Sequence, residues 1–219
     1  MRWIPLEANP EVMNQFIYNL GVKPNWEFVD VYGLDPELLS MVPRPVLAVI
    51  LLYPLSDSNT DSLGKPVESS DVFLVKQTID NACGTIALLH AVMNNENVLQ
   101  FKDGSLVGDL LHRMRDTKPA DRGPMIEKEN RLSDLHESSA VRGQTTAPAP
   151  SIRTNLHFIC FVENSGALYE LDGRKDLPIL HGPTSPDTLL EDTAVVIKKF
   201  MAQDPQSINY AVVALCRKH

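Results

Sequence analysis

The sequence predicts an α+β protein, and three features carry that expectation. Val12, Met13, Phe16, Ile17 and Leu20 recur at helical spacing near the start of the chain. Residues 46–53 form an unbroken β-branched and aliphatic run, which suits a strand buried on both faces. Residues 158–162 and 167–171 read as two strands joined through Asn164-Ser165-Gly166, a hairpin signal.

Taken in order, Asn9 is placed to cap the first helix and Pro10 to open it, with Gly21 closing it. Residues 26–32 alternate as a strand. Asp35-Pro36 starts a short helix that stops before Pro43. Residues 56–71 are polar and contain Gly64 and Pro66, so they read as a surface loop, and residues 73–75 are extended. Helices are expected over 83–93, with Ile86, Leu89 and Met93 on one face, over 105–115, and around 125–135. Ser185-Pro186-Asp187 should cap a long helix ending before Pro205. Its charges follow the dipole, Glu191 and Asp192 early and Lys198 and Lys199 late. Residues 210–216 supply the closing strand.

At 219 residues, 43% hydrophobic and 22% charged, the chain has the composition of an ordinary globular protein. Its net charge of −8 argues against unaided nucleic-acid binding and suits a basic partner. The longest apolar run falls well short of the ~20 residues of a membrane helix. Met1-Arg2-Trp3-Ile4-Pro5 has no apolar signal-peptide core. Cys83, Cys160 and Cys216 are too few and too scattered for a disulfide framework, so a reducing setting, cytoplasmic or nuclear, is expected.

Cys83 is the candidate nucleophile, because it lies where loop becomes helix. There the dipole and free N–H groups favour the reactive thiolate. Gly84 leaves backbone amides open to an oxyanion. Position alone suits a buried, inert cysteine as well. A thiol nucleophile needs a base and an orienting group. His157 starts one hairpin strand and Asp172 follows its partner. A three- or four-residue loop would set His157 opposite Gly173 or Asp172, with Cβ atoms ~5 Å apart. Gln77 precedes the helix and has an amide suited to an oxyanion, although spacing alone equally suits a solvated loop residue. The other histidines are assigned to helices (His90, His112, His136), to a loop (His181) and to the terminus (His219). Metal binding is disfavoured: His157 and Cys160 face opposite sides of a strand. Cys83 and His90 are separated by ~10 Å of helix rise. Residues 137–154, rich in Ser, Ala, Thr, Pro and Gly, form a loop of a length that is usually functional or disordered.

Several segments together resemble the ubiquitin C-terminal hydrolases. Gln77-Thr78-Ile79-Asp80-Asn81-Ala82-Cys83-Gly84-Thr85 resembles the active-site segment of that family. Leu156-His157-Phe158 and Leu168-Tyr169-Glu170-Leu171-Asp172-Gly173-Arg174 resemble its other catalytic segments. Trp3-Ile4-Pro5-Leu6-Glu7-Ala8-Asn9-Pro10 and Leu189-Leu190-Glu191-Asp192 extend the likeness across the chain, most closely to the short, single-domain members. The 56–71 loop matches poorly, and Cys216-Arg217-Lys218-His219 is an unusually basic tail.

The resemblance implies one domain over 1–219 with a papain-like thiol hydrolase fold. Its sheet is central and mainly antiparallel, flanked by helices, and its backbone is knotted. It implies Cys83 as nucleophile, His157 as general base and acid, Asp172 as orienting group and Gln77 as oxyanion donor, with no cofactor. It implies a monomer that binds ubiquitin, and a related modifier as a further candidate partner. The contact segments are Pro5-Leu6-Glu7-Ala8-Asn9-Pro10, Ala140-Val141-Arg142-Gly143-Gln144-Thr145-Thr146-Ala147 and Ser207-Ile208-Asn209-Tyr210-Ala211-Val212. Residues 137–154 become a segment crossing over the active site. The expected activity is release of small adducts and short extensions from the ubiquitin C-terminal glycine. A ubiquitin-sequestering module and a thiol acyltransferase are the competing readings.

Overall fold

A computed structural model describes residues 2–55, 63–144 and 155–218. Seven helices are named along the described chain: α1 (Pro10–Leu20), α2 (Pro36–Leu39), α3 (Cys83–Met93), α4 (Leu106–Met114), α5 (Pro119–Glu127), α6 (Asn130–Ala140) and α7 (Leu189–Gln203). Seven strands accompany them: β1 (Trp26–Asp30), β2 (Val46–Pro54), β3 (Lys65–Pro66), β4 (Leu156–Asn164), β5 (Ala167–Leu171), β6 (Ile179–Pro183) and β7 (Ala211–Arg217). They form one sheet in the order β1-β7-β2-β4-β5-β6-β3, and every pairing is antiparallel. The last strand in sequence is therefore an interior one, inserted between β1 and β2.

Interior position explains the composition of β2, β4 and β7. Val213 and Leu215 point to one face, while Val212, Ala214 and Cys216 point to the other. A bulge between Val46 and Ala48 turns Leu47 and Ala48 to the same side. One face packs on α1, α3, α4 and α6, the other on α2 and α7. Asn9 accepts a hydrogen bond from the Glu11 amide at 2.9 Å, and Gly21 ends α1 at φ +120°. Both caps agree with the sequence.

Several expectations need correction. The helix expected around 125–135 is two helices, α5 and α6, parted at Glu129. The Glu129 carboxylate is held there by Arg113 and Arg131. Helix α7 begins at Leu189, because Thr188 instead bonds the Ser185 amide at 3.2 Å. Its last turn carries no basic residue. Helix α3 has no single apolar face: residues 84–93 are buried all round, as in a central helix. Residues 137–140 belong to α6, so the loop after it begins at Val141. Its later part, with Thr145, Thr146 and Ala147, lies outside the described residues, as do 56–62. Lys65–Pro66 adds an edge strand where only a loop was expected.

Candidate active site

Cys83 is the first residue of α3 and is partly exposed. The turn before it is set by Asn81, whose φ of +65° is a conformation that asparagine tolerates better than most side chains. Its side-chain amide donates to the Trp3 carbonyl at 3.0 Å. Gly84 lets the helix approach the N-terminal strip, since a Cβ there would stand 3.0 Å from that of Leu6.

Helix α3 packs on β4, and this brings Cys83 to His157. His157 is 3% exposed and pairs with Tyr53 of β2 in the ladder. Its Nε2 lies 2.7 Å from Asp172 Oδ1, which leaves Nδ1 as the nitrogen open to the neighbouring Cys83 thiol. Burial alone would lower the imidazole pKa. The bonded Asp172 carboxylate and the neighbouring Cys83 outweigh burial and raise it to about 9. Asp172 is 2% exposed. Burial raises its pKa, but His157 and the Arg174 amide, which donates to Oδ1 at 2.8 Å, bring it below the usual carboxylate value. The Tyr53 ring stands edge-on to His157, centroids 6.0 Å apart.

His157 and Asp172 meet, but not in the expected register. The hairpin turn is only two residues, Ser165 and Gly166 at φ +53° and +81°, and Cys160 pairs with Leu171. Continuing that ladder would set Arg174 opposite His157. Instead β5 stops at Leu171, and a turn closed by the Lys175 amide on the Asp172 carbonyl, at 3.0 Å, aims the carboxylate at the ring.

Gln77 belongs to an extended segment outside the sheet. Its backbone amide donates to the Gly173 carbonyl at 2.8 Å, which ties it to the chain just after Asp172. Its side-chain amide donates one proton to the Ile79 carbonyl at 3.0 Å, leaving the second available.

The expected contact segments are placed unevenly. Leu6 and Ala140 are buried, and Asn9 is occupied as a helix cap. Val141, Arg142, Gln144 and Asn209 are exposed, and Ile208 stands out at 91% exposure. Val212 is buried within β7. His181 is not a loop residue: it lies in β6 with a buried side chain, its Nε2 at 2.8 Å from Glu170 Oε2. Glu170 itself was missed by the sequence reading. It is fully buried, and Lys175 Nζ meets its other oxygen at 2.6 Å. The available signal was a charged residue on the alternation of Leu168 and Asp172, a buried face. Among the described residues no cluster of three or more His, Cys, Asp or Glu is arranged to hold a metal ion. No helix among them is long and apolar enough to cross a membrane.

With this geometry in place, the chain can be compared with known proteins. A ubiquitin carboxyl-terminal hydrolase of Aplysia californica is 46% identical over 208 residues, covering 94% of this chain and 97% of that relative. The ubiquitin carboxyl-terminal hydrolase isozyme L1 of Homo sapiens is 40% identical over 224 residues, covering 99% of each. The solved UCH37 catalytic domain of Trichinella spiralis, bound to ubiquitin vinyl methyl ester, matches with a TM-score of 0.83 at 18% identity. The match covers 100% of this chain and 97% of that one, which establishes a shared fold. Residues 3–202 also match the family model described as ubiquitin carboxyl-terminal hydrolase, family 1, and the chain belongs to that family.

Proposed function

We propose that this protein is a thiol hydrolase that cleaves the bond following the C-terminal glycine of ubiquitin, through Cys83, His157, Asp172 and Gln77. One observation carries the reading: a buried imidazole bonded to Asp172 through Nε2, with its other nitrogen left for the neighbouring thiol at the start of a helix. Nδ1 takes the Cys83 proton, and the thiolate attacks the glycyl carbonyl carbon. The imidazolium is stabilised by Asp172, as its raised pKa reflects. The oxyanion is held by the Cys83 backbone N–H and the free Gln77 amide proton. The imidazolium proton goes to the leaving amine or thiol. Water, deprotonated by His157, then attacks the thioester, and Cys83 leaves with the proton returned. No cofactor takes part.

The net charge of −8 complements the arginine-rich tail of ubiquitin and speeds encounter. Exposed Val141 and Ile208 offer apolar contact on the segments assigned to ubiquitin. Substrate scope follows from the ends of the segment between α6 and β4. Both ends lie beside α3: His136 of α6 bonds Thr85, and β4, which carries His157, packs on α3. A segment of limited length joining these two ends would restrict what passes to the nucleophile. Small adducts and short extensions are therefore the substrates, and folded ubiquitin chains are poor ones. A Gly-Ser insertion near Thr146 should raise cleavage of folded leaving groups and leave small adducts unchanged. A fluorogenic ubiquitin C-terminal amide, tested with the parent and Cys83→Ala, decides the main assignment. Turnover confined to the parent supports it, and equal turnover by both refutes it.

A further inference from the structure

One buried histidine has no part in the steps above. We propose that His136 is a positioning residue: a neutral imidazole that locks the nucleophile helix, the N-terminal strip and the root of the 141–155 segment into one unit. His136 is 1% exposed and lies one turn before the end of α6. Its Nε2 is 2.7 Å from the Ile4 carbonyl oxygen. A carbonyl only accepts, so Nε2 carries the proton. Its Nδ1 is 2.7 Å from Thr85 Oγ1. Burial holds the ring neutral, against the opposing pull of the Ile4 carbonyl. Nδ1 is then a bare acceptor and the Thr85 hydroxyl donates to it. Both nitrogens are used, and the tautomer is fixed.

The three segments joined are the ones on which the proposed reaction depends. Thr85 is fully buried in the first turn of α3, two residues beyond Cys83. Ile4 directly precedes the strip assigned to ubiquitin. The Trp3 ring lies over His136 with centroids 4.2 Å apart. The Trp3 amide donates to the Asp80 carbonyl at 2.9 Å, so the residues leading into that strip also grip the turn before Cys83. An aliphatic side chain would fill this volume, yet it would take these partners from the buried Thr85 hydroxyl and the partly buried Ile4 carbonyl. The histidine is there because one rigid ring offers a donor and an acceptor on opposite sides.

The two bonds can be removed separately, because an asparagine amide reaches the place of Nδ1 and a glutamine amide the place of Nε2. His136→Asn keeps the Thr85 bond and loses the Ile4 bond. It should raise KM for the ubiquitin amide by about five-fold with kcat retained, the scale of one hydrogen bond. His136→Gln keeps the Ile4 bond and loosens the helix start. It should lower kcat by about five-fold with KM retained. Thr85→Val should match His136→Gln, and the two combined should be no worse than either alone. The KM arm rests on the proposed ubiquitin reading. Alkylation of Cys83 by iodoacetamide in the free protein does not, and it should slow in His136→Gln and Thr85→Val but not in His136→Asn. Folded variants with parental kcat, KM and alkylation rates would overturn the proposal. So would additive losses in the double variant, or equal losses in Asn and Gln that track only a falling Tm. Inactivity of the parent on the ubiquitin amide, with the alkylation pattern intact, would refute the ubiquitin reading and leave the joint standing.

Discussion

The two halves of the candidate site are held in place by different kinds of bond. His157 sits inside the sheet, with backbone ladders from β2 on one side, and Asp172 follows directly on β5. Residues 73–79, which deliver Gln77, are in no strand, and side chains do the work of a neighbouring strand. Asn94 accepts from the Phe73 amide at 2.7 Å and donates to the Phe73 carbonyl at 2.9 Å. His90 Nε2 accepts from the Val75 amide at 2.9 Å, and Arg122 donates to the Leu74 carbonyl at 2.8 Å while lying over the Phe73 ring. A ladder is made by the backbone of any residue but proline, whereas each of these tethers depends on one side chain. The Gln77 arm should therefore be the more fragile half.

The largest effect tests the chemistry of the sheet half without disturbing its frame. Asp172→Asn can hold the ring but favours the wrong tautomer and does not stabilise imidazolium. Turnover should fall by at least ~100-fold with ubiquitin binding and Tm nearly unchanged. Binding lost in step with turnover would instead make Asp172 a structural residue. On the arm, Gln77→Ala should lower turnover by roughly 100-fold, the scale of one oxyanion donor. A far smaller change would show that the backbone amide of Cys83 suffices.

Asn94→Ala distinguishes the halves more directly. It removes both bonds at Phe73 and should cost about 1 kcal/mol in denaturant unfolding, since partly buried backbone groups lose their partners. Turnover should drop about ten-fold through misplacement of Gln77, with KM little altered. An unchanged kcat would mean that the Gly173 bond alone holds the arm.

The halves should also respond to pH in opposite directions. Burial lowers the His90 pKa to about 4, against the pull of Asp172. Being depressed, it contributes stability that is present above the unfolded value near 6.5 and lost as pH falls toward 4. The His157 pKa is raised to about 9, so its contribution is complete below 6.5 and lost as pH rises through 9. Amide exchange at Val75 should accelerate in acid, while exchange around His157 should accelerate in alkali. The smallest effect belongs to the hairpin turn. Ser165→Asn puts a residue more tolerant of φ +53° at that position, and it should raise stability by a few tenths of a kcal/mol. A loss there would show that the Ser165 hydroxyl bond to Asn164, at 2.9 Å, matters more than backbone preference.

What the sequence determined by itself was local. The Asn9–Pro10 start and Gly21 stop of α1 are written in capping chemistry. The buried character of β2 is written in its unbroken apolar run, and the candidate site residues stand in three short segments. Each of these signals lies within a few residues of what it specifies. Tertiary structure decided the rest. It placed β7 inside the sheet and buried α3 on every side. It also let Asp172 reach His157 through a turn where the ladder would have offered Arg174. His136 with Ile4 and Thr85 pairs residues far apart in sequence, and Glu170 meets His181 across neighbouring strands. Such pairs arise only when packing removes water and a buried polar atom must find a partner among whatever segments the fold brings near.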